Sequence, residues 1–337
     1  MPNACLVLLS GSSWAALDGS SGAPSGTAQY PTLLDSYGTV PAWSVAGVDY
    51  KVGIATGASL TDWRTLSGTG ITVNTTSNYV RLDNRSGYTF SNIDFTLGNG
   101  AYLFMVNSPN TTVSGCRFGG SRLSTIPNAV IASDASSGGL TVEYCEMDGD
   151  GTGSGSTLIA CADSGTFTLR YNYFYNFPQH VVEFTQAAGK TFSVVMKYNL
   201  IYNGAMEAGA HLNWTQFSSG NCTSAQVEFN TAYQSEQVAS GEGYQFYDNA
   251  VGGYVHGVAM NYNVMIADDV TPGDAMSYMV HAGDDVTYPT ANDGSVAHDN
   301  YMVLTGAFGP WYAGTFTDWT LSNNYNMVTG AALSTNP

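Results

Sequence analysis

Glu183, Glu207 and Asp248 are the carboxylates, and His211 and His281 the imidazoles, set among polar and aromatic residues between positions 183 and 281. Asn213, Gln216, Gln245 and Tyr247 lie between them. Two carboxylates on either side of a glycosidic bond can hydrolyse it: one protonates the leaving oxygen while the other activates water or attacks carbon. A histidine can act as base instead, as a lyase requires, with a cation neutralising the uronate. Lys197 and Arg170 fall on a different strand column from these residues, so the basic helper of a lyase is missing from the set. Hydrolysis with Glu183, Asp248 and His211 as the catalytic groups is therefore favoured over elimination. Asn213, Gln216, Gln245, Tyr247, His281 and Glu207 are left to hold the substrate.

These residues lie far apart along the chain, so a repeating scaffold must bring them together. A short pattern recurs from Ile93 to Asn324. Its central column reads Ile93, Cys116, Cys145, Asn172, Asn199, Asn230, Asn263, Asn300 and Asn324, at spacings of 23, 29, 27, 27, 31, 33, 37 and 24 residues. No 3.6-residue periodicity separates these anchors, which excludes a helical repeat. Three short strands with turns take about 22 residues per repeat, and loop insertions absorb the rest. A buried Asn can bond its own backbone and the Asn stacked above it, so the column is expected to hold the fold and do no chemistry. Cys116 and Cys145 share the column and are expected to pack there. An all-β, right-handed parallel β-helix of about nine to ten coils follows. Residues 1–50 form an N-terminal cap or attachment segment, 51–325 the helix and 326–337 a C-terminal tail or cap.

A second strand column runs through Val130–Ala132, Leu158–Cys161, Val181–Thr185, Leu212–Thr215, Tyr244–Tyr247 and Tyr278–His281. Alternation places Val182/Phe184, Leu212/Trp214, Tyr244/Phe246 and Tyr278/Val280 inside. One outward row then reads Glu183, Asn213, Gln245, Met279, and the next Thr185, Thr215, Tyr247, His281. Insertions at 205–210, 235–243 and 267–277 fall on the same coils and could wall a cleft. On the strand spacing, carboxylates two coils apart stand about 9–10 Å from each other, nearer inverting than retaining geometry.

Composition narrows the partner. The chain has 337 residues, 44% of them hydrophobic and 10% charged, with 39 Gly, which suits many short strands joined by turns. Nine Lys+Arg against 26 Asp+Glu give a net charge of −17, which argues against nucleic acid and against anionic polymers unless Ca²⁺ bridges them. A neutral polysaccharide fits better. Acidic turns at Asp148/Asp150, Asp268-Asp269, Asp274 and Asp284-Asp285 make Ca²⁺ the one candidate cofactor, although none has EF-hand spacing. No apolar run approaches the roughly 20 residues of a membrane span. Five cysteines make an odd count with no disulfide framework. Ala4 to Leu9 is apolar but lacks a preceding basic segment, so an ordinary secretory signal is not expected.

The repeated Tyr-Asn-Tyr-Phe, Tyr-Asn-Leu-Ile, Phe-Asn-Thr-Ala and Tyr-Asn-Val-Met, over roughly residues 70 to 325, resemble the right-handed parallel β-helix proteins of the pectate-lyase-like superfamily. That group includes polysaccharide lyases, glycoside hydrolases and phage tailspike depolymerases. The resemblance implies an extracellular or virion-surface protein that binds and depolymerises a glycan; the alternative is a non-catalytic adhesin, fibre or structural virion protein. It also implies self-association as a homotrimer. His211-Leu212-Asn213-Trp214-Thr215-Gln216 is similar to a His-x-Asp-x-x-Gln strand motif of such proteins, with Asn213 where the Asp stands. An amide cannot act as general base, so either Glu183 or Asp248 carries that role or the chain binds without cutting.

Overall fold

The computed structural model describes residues 52–54, 57–119, 129–149, 157–185, 189–204, 213–234, 241–248, 254–267, 276–282, 294–304, 310–311, 319–326 and 331–333, with four strands before them. Side chains are described for these residues except at 219, 233, 247, 248, 266, 267, 276, 277, 303, 304 and 326, and in the four early strands. Those early strands pair antiparallel as two hairpins, Cys5–Leu9 with Ser13–Leu17 and Ala42–Val45 with Val48–Lys51.

Among the described residues the chain is all-β, apart from one 3₁₀ turn at Trp63–Thr65, and its strands form three large sheets. Thr89–Ser91, Ile93–Asp94 and Tyr102–Val106 each enter a different sheet, and Thr112–Ser114, Arg117–Phe118 and Ala129–Ser133 repeat the same order. Each strand pairs with the strand one circuit before and one circuit after it, and pairing is parallel throughout the three sheets except between Ile71–Asn74 and Tyr79–Asp83. The nine-stranded sheet contains Tyr79–Asp83, Tyr102–Val106, Ala129–Ser133, Thr157–Cys161, His180–Thr185, Asn213–Ser219, Gly241–Asp248 and Met276–Ala282 in consecutive positions, with Ile71–Asn74 at its edge.

Inward side chains stack in register. In the nine-stranded sheet Val80, Leu103, Ile131, Ile159, Val182, Thr215, Tyr244 and Val280 face the same core row. In a neighbouring sheet the row is Phe90, Val113, Val142, Leu169, Met196, Val227, Met260 and Ala297. All of these are buried. Full burial of one such apolar side chain contributes about 1.5–3 kcal/mol, so the continuous rows are the main stabilising feature.

The Asn column forms the expected ladder. Asn199 Oδ1 accepts from the Asn172 backbone N–H and from Asn172 Nδ2, both at 3.0 Å. The same pair of bonds joins Asn199 to Asn230, Asn230 to Asn263, Asn263 to Asn300 and Asn300 to Asn324. Each Nδ2 also donates to a backbone carbonyl of the preceding core row, for example Asn199 to Leu169 at 2.9 Å. Cys145 and Cys116 continue the column with sulfur. Cys145 Sγ accepts from the Cys116 N–H at 3.4 Å and donates to the Val113 carbonyl at 3.5 Å. Cys116, Cys145, Cys161 and Cys222 are all free and buried, as the sequence led us to expect; the Cys5 side chain lies outside the described residues.

The residue before each ladder position turns the chain. Asn92, Gly115, Tyr144, Tyr171, Tyr198, Phe229, Tyr262, Asp299 and Asn323 all have φ between 52° and 63°. Bulky residues rarely adopt this left-handed conformation. Here Tyr144, Tyr171, Tyr198, Phe229 and Tyr262 stack face to face at 4.9, 5.0, 5.0 and 5.0 Å, with planes within 8° of parallel. The stacking offsets the backbone cost.

Candidate functional site

The outward face of the nine-stranded sheet carries the polar strip, in a register different from the one alternation suggested. Glu183 pairs with Gln216 and not with Asn213; Asn213 pairs with His180. His281, not Met279, stands beside Gln245. Thr215 pairs with Val182 and is buried in the inward row, and Met279 is buried as well. Trp214 is buried but takes the place beside Val181, outside that inward row, and Tyr278 is half-buried opposite Glu242. His180–Phe184 pairs in unbroken register with Asn213–Phe217, and Tyr244–Phe246 with Val280–Ala282, so the offsets are set by the loops between the strands, which alternation within one strand cannot reveal; register shifts at Phe184/Thr185, Thr215/Phe217 and Gly241/Glu242 lie beside these stretches. The observed row is Ala132, Ala160, Glu183, Gln216, Gln245 and His281, with Gln245 following Tyr244, the partner of Thr215.

Hydrogen bonds connect this row. Asn213 Nδ2 donates to Gln216 Oε1 at 2.9 Å and to Gln245 Oε1 at 2.7 Å, which uses both of its amide hydrogens. Gln216 Nε2 donates to Ser218 Oγ at 3.3 Å, and Ser218 Oγ donates to Glu183 Oε1 at 2.8 Å. Thr157 Oγ1 reaches the other Glu183 oxygen at 3.4 Å. The chain of donors thus ends on a carboxylate, and it holds both amides in fixed orientations.

A second carboxylate, missing from the sequence-derived set, reaches His281 of this row, although its strand position is that of the inward Tyr244. Glu242 Oε1 is 2.8 Å from His281 Nδ1, and both side chains are nearly buried, 11% and 12% exposed. In the sequence Glu242 lies inside a supposed insertion, 235–243, where a strand in fact begins at Gly241. Gly243 permits this strand to lie close to its neighbours: a Cβ there would come within 2.2 Å of the Met279 carbonyl and 2.8 Å of the Trp214 ring.

Four buried polar atoms on these two adjacent strands have no hydrogen-bond partner among the described residues: Asn213 Oδ1, Trp214 Nε1, Glu242 Oε2 and Gln245 Nε2. Each buried orphan costs about 1–3 kcal/mol, and such groups in a folded protein call for a ligand or ordered solvent. The network satisfies itself toward Glu183 and leaves capacity unused toward Glu242.

The remaining expected site residues are placed less completely. His211 and Glu207 lie outside the described residues, as do the side chains of Tyr247 and Asp248. The backbone of Asp248 pairs with Phe217, which itself pairs with Phe184. The backbone of Asp248 is therefore two strands from Phe184, in the row of the buried Phe184 and Phe217 and not in that of Glu183, so the register does not align the expected Glu183/Asp248 pair. Of the acidic turns, Asp148 is described and Asp150, Asp268, Asp269, Asp274, Asp284 and Asp285 are not. No group of three or more metal-ligating side chains occurs among the described residues.

The cations are committed elsewhere. Arg64, Arg81, Arg117, Arg170, Lys190 and Lys197 each pair with a carboxylate, and Arg85 lies over the Tyr88 ring. These are all the Lys and Arg residues whose side chains are described.

No protein-family model matches the chain, and no curated protein or solved structure matches it. The site's own chemistry is thus the basis for assigning a role.

Proposed function

We propose that the chain is a right-handed parallel β-helix that binds a neutral polysaccharide along the outward face of its nine-stranded sheet. The observation that carries this reading is the hydrogen-bonded polar row. Glu183, Ser218, Gln216, Asn213 and Gln245 form one continuous network across three consecutive strands, and amide and carboxylate groups remain unused at one end. Amides and carboxylates held by other side chains suit sugar hydroxyls, which both donate and accept. The handedness follows from the general rule for crossovers between parallel strands. The described cations are all engaged, and the net charge of −17 repels polyanions, which supports a neutral ligand.

Hydrolysis is a second reading, with Glu183, held on the outward row by Ser218, as its candidate carboxylate. The resemblance to tailspike depolymerases extends both readings to a location outside the cell or on a virion, and to a homotrimer. Incubation of the protein with an array of neutral polysaccharides, followed by binding and reducing-end assays, tests them together. Saturable binding with loss of product in Glu183→Gln supports hydrolysis. Binding without product supports an adhesin. An absence of binding to every neutral glycan refutes the proposal.

A further inference from the structure

We infer that Ser322, His298 and Asp299 form a serine-type site that hydrolyses short-chain acyl esters at the last described coil, with the Asn323 N–H as its oxyanion donor. The inference goes beyond the glycan-binding reading and does not depend on it.

Ser322 and His298 are paired residues on adjacent strands, Thr320–Ser322 and Val296–His298, of a ten-stranded sheet. Their side chains therefore leave the same face, one strand spacing of about 4.8 Å apart. That face is outward, because Ala297, between Val296 and His298, lies in the core row and Ser322 is exposed. His298 Nδ1 stands 2.7 Å from Asp299 Oδ2, with the imidazole 30% and the carboxylate 12% exposed. The carboxylate accepts from Nδ1–H, which fixes the tautomer and leaves the Nε2 lone pair to take a proton. The Tyr262 ring packs against the imidazole at 5.3 Å, nearly perpendicular to it. Ser322 Oγ bonds to nothing among the described residues, so it is free to turn toward Nε2. Such bonds commonly tighten only when substrate binds.

The other side of Ser322 offers donors. At each earlier turn of this column, from Asn92 to Asp299, the left-handed residue gives its N–H to a carbonyl of the following coil. The ladder residue after it, from Cys145 to Asn300, gives its N–H to an Asn side chain there. Thr320–Ser322 is the terminal strand of its sheet, and the N–H groups of Asn323 and Asn324 have no acceptor among the described residues. An exposed hydroxyl thus lies between a base on the preceding coil and open backbone donors at the end of the stack. Ser322 Oγ attacks the acyl carbon while Nε2 takes its proton, and the carbonyl oxygen becomes an oxyanion beside the Asn323 N–H. The ester C–O bond then breaks, and the alcohol leaves with the proton from Nε2. Water attacks the acyl-serine, its proton passing through Nε2 to Ser322 Oγ, and the carboxylic acid departs. The site opens directly on solvent, which suits a short acyl group over a long apolar chain that needs burial.

The test uses the full chain with p-nitrophenyl acetate as substrate and a fluorophosphonate as covalent probe. Turnover above the buffer rate is expected, with the probe found on Ser322 by peptide mass spectrometry. Ser322→Ala and His298→Gln are expected to lower turnover about a hundredfold or more. Asp299 acts through His298, so Asp299→Asn is expected to lower kcat about tenfold or more and leave KM unchanged. Ser322 is exposed, so its alanine variant keeps the fold, which thermal unfolding checks. No adduct at Ser322, or turnover that survives Ser322→Ala, overturns the inference. Labelling of Ser322 that is equally fast in His298→Gln overturns it too, since it marks an ordinary exposed hydroxyl.

Discussion

Asn230 Oδ1 accepts two hydrogen bonds from Asn199 at once, one from its backbone N–H at 3.0 Å and one from its side-chain Nδ2 at 2.9 Å. The second bond fixes the Asn199 amide so that its own oxygen faces Asn172. Both residues are buried, so neither amide has water as an alternative partner.

Asn199→Ala removes this amide and strands several neighbours. The Asn172 N–H and Nδ2, the Asn230 Oδ1 and the Leu169 carbonyl all lose a partner. At about 1–3 kcal/mol per orphaned buried group, with partial relaxation, a loss of about 3 kcal/mol or more is expected. Denaturant unfolding of the variant beside the parent protein measures it. A change below about 1 kcal/mol would show that the ladder is ornamental.

Cys145→Asn is expected to be accommodated and to raise the melting temperature. Cys145 Sγ already makes the contacts of a ladder Asn, with the Cys116 N–H and the Val113 carbonyl, at sulfur distances. An amide would replace these weak bonds with ordinary ones and add a donor toward Asn172 Oδ1. Thermal unfolding followed by circular dichroism decides the sign; a drop of several degrees would mean that the position tolerates only the smaller side chain.

The four described cysteines are expected to resist alkylation in the folded protein. All are buried, and burial pushes the Cys222 thiol up to about 12 and those of Cys145 and Cys161 well above the usual thiol range. The thiolate is the reactive form, so burial and protonation both protect Cys145, Cys161 and Cys222, while Cys116, whose thiol is lowered by its contact with Cys145, is protected by burial alone. Iodoacetamide at pH 8 followed by mass spectrometry should modify these residues only after denaturant is added. Labelling of Cys222 in the native protein would contradict its placement.

Asp163 and Lys190 give a pH-dependent contribution with a definite sign. Burial raises the Asp163 carboxyl, but the Lys190 ammonium at 2.5 Å and nearby backbone N–H groups outweigh it, so its pKa is held below the ordinary carboxyl value. A lowered folded pKa adds stability that is complete above the ordinary range and is lost as pH falls through the lowered value. Lys190 is partly exposed, so the contribution is expected to stay within about 1 kcal/mol. Lys190→Met should therefore lower stability at pH 6 to 7 and make little difference at pH 2 to 3, in urea titrations across that range. An equal deficit at both ends would remove the ion pair from the account.

The ladder and the strip differ in how far the sequence discloses them. A buried Asn recurring every 24 to 37 residues has few physical explanations, and the column from Asn172 to Asn324 follows directly. The strip depends on cross-strand offsets. Glu183 lies beside Gln216 because the loop between their strands sets which residues meet, and nothing in the local pattern of either strand marks that offset. Glu242 is hidden for the same reason, since a Gly-Glu-Gly stretch suggests a loop until its strand partners are known. The left-handed column before the ladder carries a signal in the opposite sense. Tyr144, Tyr171, Tyr198, Phe229 and Tyr262 occupy sites where Gly or Asn is the usual choice, and only their mutual stacking accounts for rings there.

All the side-chain amides from Asn172 to Asn324 point the same way, each nitrogen toward the next residue's oxygen. Their dipoles add along the axis of the molecule, and each bond polarises the next. The row consequently has electrical ends, a carbonyl pole at Asn172 and an amino pole at Asn324. A break at its centre interrupts this mutual reinforcement on both sides, whereas a break at either pole only shortens it, so equal chemical changes carry unequal penalties according to their distance from the ends.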